Sequence, residues 1–134
     1  MEREYINPPE LYQHPSFTRI VTVKGPCKFI FIAGQTPSDK NYEAVFPGDY
    51  KAQYLKVIEN LSIQLKAAGA TWSDVVYRRT FTLDMDAHIN MLKDPTINID
   101  GHRVATTGST LIGVTRLSRP GFLIEMDLMA ITES

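Results

Sequence analysis

The apolar positions of this chain change period along its length, and the changes mark its elements. Residues 18–24 and 28–33 are rich in Val, Ile and Phe and are separated by Gly25-Pro26, a pattern that predicts a β-hairpin, or at least two adjacent strands. The second run, Phe29-Ile-Phe-Ile-Ala33, is apolar throughout, as in a strand covered on both faces. Residues 34–49 hold Gly34, Pro37, Pro47 and Gly48 and read as loop. Behind Asp49, a helix N-cap, Tyr54, Ile58, Leu61, Leu65 and Ala68 recur at helical spacing until Gly69 ends the pattern. Trp72-Ser-Asp74 leads into a strand over 75–83, on which Val75, Tyr77, Arg79, Phe81 and Leu83 share a face. A second helix falls within about 86–100, interrupted or started by Pro95. Strands near 109–117 and 122–131 follow, joined by the turn-like Ser118-Arg-Pro-Gly121. The order ββ–α–β–α–ββ implies an α+β or mixed α/β sandwich with helices on one face of a sheet. With no repeat, linker or low-complexity tract, residues 1–134 read as one domain.

Composition narrows the function classes. The chain has 134 residues, 43% apolar, and a net charge of −1. Lys24, Lys28, Arg78, Arg79, Arg103, Arg116 and Arg119 are scattered among carboxylates and form no basic stripe, so nucleic acid is not an expected partner. Cys27 is the single cysteine, which excludes an intramolecular disulfide. No signal core and no apolar run approaching a membrane span is present, so the expectation is a cytoplasmic protein without a membrane partner. His14, His88 and His102 lack metal-ligand spacing, the eight glycines form no phosphate loop, and neither a metal nor an organic cofactor is expected.

Four words in order carry a resemblance over essentially the whole chain. They are Ser16-Phe17 followed by Ala33-Gly-Gln-Thr-Pro37; the Ala52-Gln53 helix ending in Ala67-Ala-Gly69; Gly113-Val-Thr-Arg-Leu117; and Ile124-Glu-Met-Asp127. The chain thereby resembles the Rid family, the YjgF-like reactive-intermediate deaminases. The resemblance implies a chorismate-mutase-like α+β fold, with two helices packed on one face of a mixed sheet, assembled as a homotrimer with ligand clefts between neighbouring subunits. In deaminating members an arginine at the start of the penultimate strand holds the substrate carboxylate, which suits the fixed fork of a guanidinium. The matching position here is Ser109, and Ala33 stands where a serine is usual, so the chain reads as a divergent member.

Glu125 matches the glutamate with which the family positions or activates the water that attacks an imine. Strand periodicity puts Glu125 and Asp127 on one face, about 7 Å apart, together with Leu123, Met129 and Ile131. A carboxyl partly desolvated there would have a raised pKa and could shuttle protons near neutrality. The alternative is a polar strand face that meets solvent, or arginines at a subunit interface. Gly34 permits close ligand approach and Gln35 offers amide donors and an acceptor, or the pair is a structural turn. Phe17 either lines a cleft or fills the core. Arg116, placed on a strand face with Thr110, Ile112 and Val114, is a candidate binding residue or an ordinary ion-pair partner. Arg103 or His102 could enter the cleft as anion holder in place of the missing arginine. Cys27 reads as a turn residue with no base beside it.

Two functions follow. One is a hydrolytic deaminase of an enamine, imine or related C–N bond, with Glu125 as general acid/base or water anchor. Ala33, Gly34, Gln35, Ser109 and Thr110 would then hold the polar atoms of a small, acidic substrate, for instance an aminomuconate-like ring-cleavage product by analogy with some family members. The other is a non-catalytic small-molecule binder on the same trimer. Ribonuclease activity, attached to some relatives, ranks last on charge grounds.

Overall fold

The longest element forms where the helical period is clearest. In the computed structural model, which describes residues 1–134, α1 (Tyr50–Ala67) begins at Asp49, whose side chain accepts from the Ala52 backbone N–H. It ends at Gly69, whose φ of +77° is the left-handed conformation that stops a helix cheaply only with glycine. The buried face of α1 carries Gln53, Tyr54, Val57, Ile58, Leu61 and Leu65. These pack against Ile30 and Ile32, and against Ile124, Met126, Leu128 and Ala130, in one apolar cluster.

The remaining elements are β1 (Glu2–Ile6), β2 (Ile20–Lys24), β3 (Cys27–Gln35), β4 (Val75–Thr82), α2 (Met85–Leu92), β5 (Gly108–Gly113) and β6 (Ile124–Glu133). Single 3₁₀ turns at Trp72–Asp74 and Ile99–Gly101 precede β4 and follow α2. The main sheet has the order β3-β6-β4-β5, antiparallel except for the parallel β4–β5 pair. Both helices pack on one face of this mixed sheet, the α+β arrangement expected. No helix is long and apolar enough to cross a membrane.

Four expectations are corrected. The runs on either side of Gly25-Pro26 do not pair with each other: β2 pairs with β1 in a separate ribbon, and β3 pairs with β6. β1 has little apolar pattern of its own; it is held by its ladder to β2 and by Arg3, which donates to the carbonyls of Ser73 and Ile131. The run 28–33 is covered on one face only, with Ile30 and Ile32 buried while Phe29 and Phe31 are 58% and 75% exposed. Val75 does not share the face of Tyr77, because the register with β6 shifts between them and turns Val75 into the core. Finally, β5 stops at Gly113 rather than 117. It is an edge strand paired only with β4, and Val114 N–H to Thr82 O is the last bond β4 can offer. Arg116 therefore lies in an exposed loop, off the strand face assigned to it.

Candidate active site

The alternation of β6 is strict: Ile124, Met126, Leu128 and Ala130 are buried under the helices, and Glu125, Asp127 and Met129 are part-buried on the other face. Arg79 on β4 stands opposite Asp127 and grips it, Nε 3.1 Å from both carboxylate oxygens and Nη2 2.6 Å from Oδ2. Beyond it, Phe81 stands opposite Glu125. Near its C-terminal end β3 carries a bulge: Ile32 pairs with Leu128 and Gln35 with Met126, so Ala33 and Gly34 together oppose the single Asp127. The bulge brings the Gly34 backbone against the Glu125 side chain. A Cβ at position 34 would fall within the carboxylate, 2.9 Å from Glu125 Cδ, so glycine here leaves room for the carboxyl in its present position. Burial, and then the charge of Asp127, raise the Glu125 pKa above the usual carboxylate range.

The other face of the sheet holds a second group. A cavity of about 560 Å³ lies between β4–β5 and the helical layer, lined among others by Phe17, Tyr54, Trp72, Arg78, His88 and Ser109, with Arg103 and His102. Arg78 and Ser109 are register partners and so project to the same side. Phe17 is stacked on His14 at 4.4 Å, with the Arg19 guanidinium 5.2 Å above its ring. Behind the cavity, Tyr54 Oη lies 2.8 Å from His102 Nε2 and His102 Nδ1 lies 2.8 Å from Ile99 O. The carbonyl requires Nδ1–H, and with burial holding the ring toward its neutral form Nε2 accepts from the Tyr54 hydroxyl. Tyr50 donates to Thr82 Oγ1 at 2.7 Å and lies 2.9 Å from His88 Nδ1. Burial pushes the Tyr50 and Tyr54 hydroxyls up to about 12 and His88 down to about 4, and it lowers His102.

The candidate residues thus divide between the two faces. Glu125, Ala33, Gly34 and Thr110 belong to the outer face, where Thr110 is hydrogen-bonded to the Tyr77 hydroxyl. Phe17, His102, Arg103 and Ser109 line the cavity. Gln35 joins neither group: its Oε1 accepts from Gln64 on α1 at 2.7 Å and its Nε2 donates to Thr36 O. Arg116 is exposed and meets neither. Arg103 does enter the cavity wall, donating to the carbonyls of Leu92, Asp94 and Ile97. Sequence reading passed over Arg78, Tyr54, Trp72 and His88. The doublet Arg78-Arg79 was the available signal, since adjacent strand residues point to opposite faces and one of the two must turn under the helices.

A protein-family model described as Endoribonuclease L-PSP matches residues 13–132. A RutC family protein of Pyrococcus abyssi is 32% identical over 105 residues, 78% of this chain and 80% of the relative. The crystal structure of YyfB from Yersinia pestis, a protein of unknown function in the conserved Rid family, superposes with a TM-score of 0.82. Its identity is 32%, over 98% of this chain and all of that one. The chain belongs to the Rid family. RidA from an Antarctic Psychrobacter shares the fold of this Rid chain at a TM-score of 0.65 and 21% identity, covering 87% of this chain and 89% of its own. The Rid assignment fits the two-helix mixed sheet.

Proposed function

We propose that this Rid protein is a hydrolytic deaminase of an enamine, imine or related C–N bond in a small acidic metabolite, with Glu125 as general acid/base or water anchor. The observation that carries the reading is the Glu125 carboxyl pressed against Gly34, with a pKa raised by burial and by Asp127. A carboxyl whose pKa is raised in this way holds its proton to higher pH than an ordinary glutamate, and it can orient a water for addition to an imine carbon and protonate the departing amine. Imines hydrolyse unaided, so a barrier reduction of only a few kcal/mol, on the order of a thousandfold in rate, suffices.

Two copies complete the site in this reading. Glu125 and the Arg78–Ser109 pair project from opposite faces of one sheet, so a single chain cannot offer both to one substrate. In a homotrimer, the outer face of one subunit would close over the cavity side of the next. The open apolar face, with Phe29, Phe31 and Tyr77 exposed, favours such burial. The reading places the trimer in the cytoplasm, with Cys27 free. Ribonuclease chemistry is disfavoured by the net charge of −1 and by an outer face where two carboxylates meet one guanidinium. One observation favours non-catalytic ligand binding as a second reading: Arg79, the guanidinium on Glu125's face, is already engaged by Asp127.

The test generates 2-imino acids in situ with an amino-acid oxidase and traps them with semicarbazide, adding one aminomuconate-type substrate. Faster imine loss with wild type, abolished in Glu125→Gln, supports the deaminase. No acceleration over buffer across the panel favours the binder.

A further inference from the structure

The cavity on the helical side has an unusual charge balance. Arg78, Arg103 and Lys93 line it, and none of its 18 lining residues is a carboxylate. Outside the cavity, Arg3 pairs with Asp74, Arg79 with Asp127 and Arg119 with Glu43, while Arg19 and the exposed Arg116 have no acid. Arg78 has no acidic partner; it donates only to Ser16 O at 3.2 Å and Val104 O at 3.3 Å. A guanidinium carries five N–H donors, so three remain. Asp94, whose carbonyl accepts from Arg103, turns its carboxylate to Thr96 and Lys51. The histidines on the wall do not replace the missing anion, since burial holds both His88 and His102 toward the neutral form. A part-buried guanidinium without a counter-ion is costly, and the cost is recovered when an anion arrives.

The rest of the wall describes what accompanies that anion. His14, Phe17, Tyr54, Trp72, His88 and His102 contribute six rings, with Leu111 and Met126 between them. Ser109, opposite Arg78 on β5, is too short to fill the space beside the guanidinium. Rings and apolar chains around one forked donor suit a planar body bearing a carboxylate, and suit a compact, heavily hydrated oxyanion poorly. We propose that this cavity binds a flat organic carboxylate, with Arg78 as its anion anchor. The proposal deepens the deaminase reading by naming the class of substrate that site would take. Its test reads binding, so a failure of catalysis and a failure of the anchor are told apart.

Trp72 is the only tryptophan, so ¹⁵N-labelled protein gives a single indole N–H resonance that reports on the cavity. The probes are trans-cinnamate, its neutral isostere trans-cinnamamide, and inorganic phosphate. Expected is a saturable shift with cinnamate, at least tenfold weaker binding of the amide, and weaker binding still of phosphate. Arg78→Gln should weaken cinnamate at least tenfold and leave cinnamamide unchanged, whereas Arg78→Lys recovers part of the loss; a purely structural tether would move acid and amide alike. Equal affinity for acid and amide, no binding of either, phosphate as tight as cinnamate, or an unaffected Arg78→Gln overturns the proposal. Should Arg78→Gln fail to fold, the comparison of acid with amide on wild type decides it alone.

Discussion

The backbone of Gly34 lies so close to the Glu125 carboxyl that a Cβ at position 34 would require that carboxyl to move. The cause is the bulge in β3, which sets two residues against Asp127 and pushes the chain toward β6. Glycine at this point lets the Glu125 carboxyl keep its place against the β3 backbone. Gly34→Ala is therefore expected to displace Glu125 or the bulge, at a cost of about 1–3 kcal/mol. Urea denaturation would measure that cost. Imine turnover, followed in the semicarbazide assay, should fall at least tenfold, whereas Ala33→Ser, one residue away, should fold normally.

The raised pKa of Glu125 fixes the sign of its contribution to stability. The native state holds this proton more tightly than the unfolded chain, whose carboxyl titrates near 4.5. Stability from this group is thus fully present below 4.5 and is lost as pH rises through the higher native value. Replacing Glu125 by Gln should remove that decline, and the difference between the wild-type and variant stability curves, measured from pH 4 to 8, would show it. A wild-type stability that instead rose with pH relative to the variant would contradict the burial of the carboxyl.

His88 has the opposite sign. Its native pKa is near 4 against 6.5 in the unfolded chain, so the stabilisation is complete above 6.5 and disappears as pH falls toward 4. Across that window the loss is on the order of 3 kcal/mol. His88→Asn, which keeps a hydrogen-bonding atom near the Tyr50 hydroxyl, should be less stable at neutral pH yet lose less on acidification. Thermal denaturation at pH 7 and pH 5 distinguishes the two slopes.

The open face of the sheet predicts self-association. Phe31, 75% exposed in the single chain, is too large and apolar to be left in water beside Phe29 and Tyr77. Size-exclusion chromatography with light scattering should give three times the chain mass for wild type and one for Phe31→Asp. A monomeric wild type would defeat the two-copy site.

Gln53 sits at the start of α1 with no exposed surface and holds two loops. Its Nε2 donates to Val45 O at 3.1 Å and Gly121 O at 2.8 Å, and its Oε1 accepts from Leu123 N–H at 2.9 Å. Gln53→Leu would leave these groups unpaired at a cost of about 2–4 kcal/mol. Because Leu123 leads into β6, amide exchange at Glu125 should also rise in this variant.

The period of apolar residues determined the elements with a strong local signal. Asp49, the Tyr54–Leu65 spacing and Gly69 set α1 by themselves, because capping, spacing and a left-handed stop all act within a few residues. The alternation of β6 likewise put Glu125 and Asp127 on one face before any partner strand was known. Partners and boundaries were another matter. β2 prefers β1 to β3, β5 ends where β4 ends, and the Val75 bulge reverses a face; each depends on a strand distant in sequence. The site was divided in the same way. The family words singled out Glu125, Gly34, Phe17 and Ser109 as candidates, but only the folded sheet decided that Glu125 and Ser109 face opposite directions and that Gln35 turns to Gln64. The sequence encoded an arginine doublet; tertiary packing chose Arg79 for Asp127 and left Arg78 beneath the helices without an acid. The reason is the strand itself, whose two-residue period fixes that neighbours part company but not which of the two faces will be covered.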